Sequence, residues 1–121
     1  MQYERPKLIA EASANHNNSL EIAKQLIEEA SRAGADLVKF QIYERFSDIT
    51  SIPTVRYSEQ ILKRIEADSE VISRYYLKEE WFPELLHHAR KNSIDIIYSC
   101  SSLKFIELVR EFSSISVLTQ Q

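Results

Sequence analysis

The spacing of apolar positions changes several times along the chain, and each change marks an element. Lys7 to Ala12 holds a short apolar run, Leu8-Ile9-Ala10, suited to a strand buried on both faces. From about Ser19 to Ala33 the period becomes helical: Leu20, Ala23, Ile27 and Ala30, joined by Ile22 and Leu26, fall on one face. Asn18 is the expected N-cap, and Glu21 three residues later completes a pattern like a capping box. Gly34 stops the helix, because it tolerates the left-handed conformation just past the C-cap. A second strand follows at about Asp36 to Ile42, then a long loop over 43–57 with Pro53, a short helix over 58–66 and a polar stretch from Asp68 to Tyr76. A third helix is expected from Lys78 to Asn92, with Pro83 tolerated near its first turn, and a third strand from Ile94 to Ser99. Ser101 or Ser102 caps a further helix, Leu103 to Phe112, and Ile115 to Leu118 starts a fourth strand.

Strands alternating with helices of this length favour a parallel sheet in an α/β fold. The spacing leaves two architectures open, a (β/α)8 barrel or an open doubly wound sheet such as the flavodoxin type. In both, ligands sit beyond the carboxyl ends of the strands. A flavodoxin-like site calls for a glycine- or serine-rich loop after the first strand, and Ser13 and Ser19 answer that poorly. A closed barrel needs about 250 residues, and the 121 residues here hold about three β/α units and the start of a fourth strand. An unclosed parallel sheet leaves its edges open. The expectation is therefore a fragment or truncated product, or a chain whose sheet edges are covered by a partner, such as a second copy or the other half of a split barrel.

Composition narrows the class. Apolar residues make up 44% and charged residues 27%, which suits a globular core. A net charge of −3 gives no electrostatic reason to expect nucleic acid or an anionic membrane surface. No apolar run approaches the ~20 residues of a membrane span, and Met1 to Pro6 lacks the apolar stretch of a signal peptide. Cys100 is the single cysteine, so no internal disulfide forms, and a cytoplasmic setting is expected.

The candidate chemistry lies at the strand ends. Glu11 sits in an apolar strand, where a carboxylate must be solvated at the strand end, paired with a cation such as Lys39, or used in a site. Lys39 lies between Val38 and Phe40 and must reach the mouth of the sheet or its solvated end. An ammonium there suits phosphate or carboxylate. Gln41 shares the face of Lys39. Asn15, His16 and Asn17 form a polar cluster after the first strand, which is either an ordinary βα turn or the wall of a site. Ser99 ends the third strand and is either a turn serine or a hydroxyl facing ligand. Cys100 has no basic partner nearby in sequence. His87 and His88 are adjacent on a helix, do not share a face, and are expected at the surface.

Two segments also carry a resemblance. Glu11-Ala-Ser-Ala-Asn-His-Asn-Asn-Ser19, followed by Ala33-Gly-Ala-Asp-Leu-Val-Lys-Phe-Gln41, resembles the opening of the sialic acid synthase (N-acylneuraminate synthase) family, which reads Glu-x-x-x-Asn-His-x-Gly and then Ala-Gly-Ala-Asp-x-Val-Lys-Phe-Gln. The likeness covers roughly positions 7 to 112. It chooses the barrel and implies that residues 1–121 are the N-terminal half of a synthase barrel domain, with no second domain. It implies an enzyme that joins phosphoenolpyruvate to N-acetylmannosamine or a related N-acylated amino sugar, releasing phosphate. By resemblance Glu11 moves protons, Lys39 and Ser99 hold phosphoenolpyruvate, and Asn15, His16 and Gln41 line the sugar side. The family uses Mn²⁺ or Mg²⁺, with ligands beyond the part of the sequence matched here. The chain departs from the pattern where small, Gly-containing positions of the family read Ala12-Ser13 and Asn18, and where Cys100 and Ser101 follow Ser99. Since half the constellation is missing, the 121 residues alone are expected to be inactive.

Overall fold

The computed structural model describes residues 5–42, 60, 63, 75–100 and 103–114. Three strands, β1 (Ile9–Ser13), β2 (Leu37–Gln41) and β3 (Asp95–Ser99), form one parallel sheet in the order β1-β2-β3. Helix α1 (Leu20–Arg32) joins the first pair, α2 (Phe82–Lys91) precedes β3, and α3 (Leu103–Phe112) follows it. This is an α/β arrangement with strands laid down consecutively, as in a sector of a (β/α)8 barrel. A flavodoxin-type sheet would place β1 between β2 and β3, so that alternative does not apply. The loop over 43–57, the bulk of the helix over 58–66, the stretch from Asp68 to residue 74, the capping serines 101 and 102 and the fourth strand at 115–118 lie outside the described residues.

The helices form where their apolar faces were expected. In α1 the buried residues are Ala23, Ile27 and Ala30, with Leu20 and Leu26 packed beside them. The N-cap is Ser19 rather than Asn18: Ser19 is extended (φ −120°, ψ 121°), and its hydroxyl accepts from the Ile22 N–H at 3.3 Å. Asn18 cannot serve because it is left-handed (φ 56°), whereas an N-cap needs extended backbone. Gly34 (φ 85°) follows the C-cap Ala33, as its conformational freedom allows. The helix expected from Lys78 divides into a 3-10 turn, Glu79–Trp81, and α2, with Pro83 in the first turn, where a missing N–H costs nothing.

Alternation gives the sheet two unlike faces. Ala12, Val38, Phe40, Ile42, Ile96, Tyr98 and Cys100 face the helices and make the core with Ile27, Phe82, Leu85 and Ala89. Phe82 meets Tyr98 edge-on at 4.8 Å. Burying one such side chain contributes about 1.5–3 kcal/mol. Polar contacts lock α1 to α2: Lys24 with Glu84 at 3.1 Å, His88 Nε2 with Glu28 at 2.9 Å, and the Ser31 hydroxyl donating to the Asn92 carbonyl at 2.6 Å. His88 is thus half-buried and paired, not a free surface residue as expected from sequence, while His87 is exposed. After α3 the chain returns to β3, where the Ser114 N–H donates to the Ile96 carbonyl and the Ile96 N–H to the Ser114 hydroxyl, both at 3.0 Å.

Candidate functional site

The face turned away from the helix-side core carries Glu11 and Ser13 from β1, Lys39 and Gln41 from β2, and Ile97 and Ser99 from β3. Register explains the grouping. Glu11 pairs with Lys39 across the first strand pair, and Gln41 pairs with Ser99 across the second. Because parallel strands share direction, all four predicted residues approach the same carboxyl rim.

At the centre the Lys39 ammonium lies 2.9 Å from the Glu11 carboxylate, with side-chain exposures of 22% and 51%. At that exposure the pair contributes no more than about 1 kcal/mol of stability. Its consequence is positional. The carboxylate holds a long, flexible cation at the rim, and an ammonium has three donors of which this contact uses one.

Nearer the rim, β1 departs from regular pairing. Its register shifts between Glu11 and Ser13, so that Ser13 stands opposite Phe40, and Ser13 is left-handed (φ 49°). A bulge of this kind bends a strand and re-aims a side chain. The Ser13 hydroxyl meets the Gln41 carboxamide oxygen at 3.2 Å. Ser13 was named in the sequence only as a weak loop serine and a departure from the family pattern; alternation breaks at the register shift, and it is the bulge that brings its hydroxyl to Gln41. Ser99 is 4% exposed, and its backbone carbonyl accepts from the Ile42 N–H at 2.9 Å.

The loop after β1 separates its members. Asn15 is exposed, and its backbone N–H closes a turn on the Ala12 carbonyl at 3.0 Å. His16 is fully buried. Its Nδ1 accepts from the Asn18 N–H at 3.0 Å, so the neutral ring carries its proton on Nε2. The ring stands edge-on to Trp81, with centroids 5.9 Å apart. Burial lowers its pKa, and the Tyr75 backbone acts in the opposite direction. His16 is thereby placed as a support for the loop and not at the open face. Asn17 and Asn18, both left-handed (φ 48° and 56°), complete the turn. Asparagine adopts this region more readily than most residues.

The aspartate of the second motif belongs elsewhere. Asp36 precedes β2, at the opposite rim from Gln41, where it accepts from the Leu8 N–H at 2.7 Å and from Arg5 Nη1 at 2.9 Å. The Arg5 guanidinium and the Leu8 N–H hold its carboxyl down at about 2. Among the described residues no three His, Cys, Asp or Glu side chains gather as a metal site would require.

Comparison with known proteins shows the family of the chain. The NeuB family profile matches residues 26–116. The chain is 33% identical over 105 residues to the N,N'-diacetyllegionaminic acid synthase of Campylobacter jejuni, covering 86% of this chain and 31% of that protein. It is 34% identical over 114 residues to the pseudaminic acid synthase of Helicobacter pylori, covering 89% and 32%. It thus spans about a third of the length of these relatives. Among solved structures, an N-acetylneuraminic acid synthetase from Leptospira borgpetersenii superposes with a TM-score of 0.70 at 21% identity, covering 90% of this chain and 34% of that one. A spore coat polysaccharide biosynthesis protein from Bacillus subtilis superposes with a TM-score of 0.61 at 27% identity, covering 87% and 26%. At 21% identity the first superposition speaks for the fold.

Proposed function

The chain belongs to the NeuB family, and from that premise we propose that it is the N-terminal half of a sugar-acid synthase barrel that condenses phosphoenolpyruvate with N-acetylmannosamine or a related N-acylated amino sugar. The observation that carries the proposal is the Glu11–Lys39 pair, held as cross-strand partners at 2.9 Å on the face opposite the helices. In the proposed reaction, the methylene carbon of phosphoenolpyruvate bonds to the aldehyde carbon of the sugar. Water adds to the adjacent carbon, the bond to the phosphate oxygen breaks, and inorganic phosphate leaves.

Lys39 supplies the charge that attracts phosphate or carboxylate, and the Ser99 hydroxyl stands on the neighbouring strand as a donor. Glu11 is the nearby group able to give or take a proton, and it keeps the Lys39 ammonium in place until an anion competes for it. Gln41 and the exposed Asn15 offer carboxamides to the hydroxyls and acyl group of a sugar, while His16 stiffens the loop that carries Asn15. The divalent cation expected of such a reaction, Mn²⁺ or Mg²⁺, does not fit the described residues, which lack a set of ligands for it.

Purified 121-residue chain mixed with phosphoenolpyruvate and N-acetylmannosamine should release no phosphate above background, because these 121 residues span only about a third of the length of the synthases they match. Sustained phosphate release dependent on both substrates would contradict this.

A further inference from the structure

The turn after β1 is built from residues that resist its shape. Asn17 and Asn18 are both left-handed (φ 48° and 56°), a strained region that asparagine enters more readily than most residues but never freely. Such backbone persists only where its surroundings hold it. Hydrogen bonds hold it here. The Asn15 N–H donates to the Ala12 carbonyl at 3.0 Å, the Ser19 N–H to the His16 carbonyl at 2.9 Å, and the Asn18 N–H to His16 Nδ1 at 3.0 Å. The last of these uses a side chain, and it spans two residues as the bond of an Asx turn does. A backbone N–H can only donate, so Nδ1 is unprotonated and the ring neutral for as long as this bond exists.

We propose that His16 is a proton-sensitive latch, whose neutral ring holds the turn between β1 and α1, and Asn15 with it, at the carboxyl rim and whose protonation releases them. A protonated imidazole carries N–H at both nitrogens. Nδ1–H would then face the Asn18 N–H, donor against donor, and the left-handed turn would lose the bond that closes it. Among the described residues no carboxylate is ion-paired with the ring to compensate. Glu11 of β1 is engaged by Lys39 on the other face of the sheet. Glu21, in the first turn of α1, and Glu79 and Glu80, beside Trp81, are exposed. Lys78 lies 5.4 Å from the centre of the Trp81 ring that stands edge-on to His16, and it brings positive charge to that side. The Tyr75 backbone favours the proton, but burial outweighs it, and the pKa falls below 6.5. The latch is therefore closed above pH 6.5 and opens as pH falls through the lower folded value. Its consequence for sugar binding rests on the reading of Asn15 as part of the sugar side.

NMR of the whole chain without ligand tests the latch. The His16 Cε1–H shift follows protonation, and amide exchange, corrected for its intrinsic dependence on pH, follows the turn. As His16 takes up its proton, protection of the Asn18 amide should fall relative to that of Ile27, in the middle of α1, by about fivefold, the equivalent of one ordinary hydrogen bond. The neutral ring should carry its proton on Nε2. A neutral ring protonated on Nδ1, an Asn18 amide indifferent to the titration, or Asn18 and Ile27 losing protection in parallel overturns the proposal. His16→Asn supplies an acceptor at the same two-residue reach, and a carboxamide does not titrate. The ratio of Asn18 to Ile27 protection should then be constant between pH 7.5 and 5; a ratio that still falls in the folded variant assigns the effect to another group and also overturns the proposal. Titrating N-acetylmannosamine at both pH values tests the underlying reading separately. The native chain should bind it more weakly at the lower pH, and His16→Asn equally at both. Absence of any perturbation at Asn15 by the sugar would count against its sugar-facing role, while the ligand-free comparison still decides the role of His16.

Discussion

At the scale of single residues, the protein keeps two kinds of polar group apart. Lys39 and Glu11 remain partly exposed and neutralise one another. His16 is buried, with one ring nitrogen satisfied by the Asn18 backbone. Its pKa is lowered chiefly by burial, so the folded chain resists taking up a proton that the unfolded chain accepts below the ordinary histidine value of 6.5. That stability is fully present above pH 6.5 and is lost as pH falls through the lower folded value. Urea midpoints should therefore drop between pH 7.5 and 5.5 by more in the native chain than in His16→Gln; parallel curves would show that the ring titrates freely. In the sequence, His16 looked like a candidate for contact with substrate because it follows a strand among asparagines. Its burial under Trp81 was not legible, since it depends on a residue 65 positions away in a different β/α unit.

At the scale of elements, most helix and strand spans could be read from period and punctuation. Leu103–Phe112 and the Gly34 stop agree with expectation, because amphipathic spacing and a left-handed glycine are local properties. The cap of α1 was misplaced by one residue because Asn17, Asn18 and Ser19 are all competent cap formers, and only backbone angles distinguish them. Replacing Ser19 by Ala should cost about 1 kcal/mol in chemical denaturation. Asn18→Ala should act through its left-handed backbone and leave the Ser19 cap intact. Equal loss of the helix N-terminal hydrogen-exchange protection in both variants would contradict this assignment. The bulge at Ser13 had no local signal, since serine does not advertise a positive φ as glycine does.

At the scale of the whole molecule, the sheet separates structural from chemical polarity by rim. Asp36 ties the residues before β1 to the start of β2 through Arg5 and the Leu8 N–H, whereas Lys39, three residues on, serves the opposite end. The second motif therefore mixes a clamp with a candidate site. Sequence alone could not sort them, because the partner of Asp36 lies 31 residues away. The clamp sets an acid limit. The carboxyl falls from an ordinary value of 3.8 to about 2 on folding, so its contribution is complete above pH 3.8 and is lost as pH falls toward 2. Asp36→Asn should lie below the native chain in urea midpoint at pH 5, with the gap closing by pH 2; a constant gap would deny the linkage. The parallel sheet and the polar stripe on the non-helical face were legible from alternation once the strands were recognised, whereas the consecutive strand order was not, since spacing alone leaves the flavodoxin order open and the family resemblance chose between them. No helix among the described residues is long and apolar enough to cross a membrane.

The most direct test of that stripe is a phosphoenolpyruvate titration of the full 121-residue chain followed by ¹H–¹⁵N NMR. Saturable shifts should centre on the backbone amides of Lys39, Gln41 and Ser99 and vanish in Lys39→Ala. Shifts clustered around Asp36, binding indifferent to Lys39→Ala, or no binding at all would contradict the placement of the anion at Lys39.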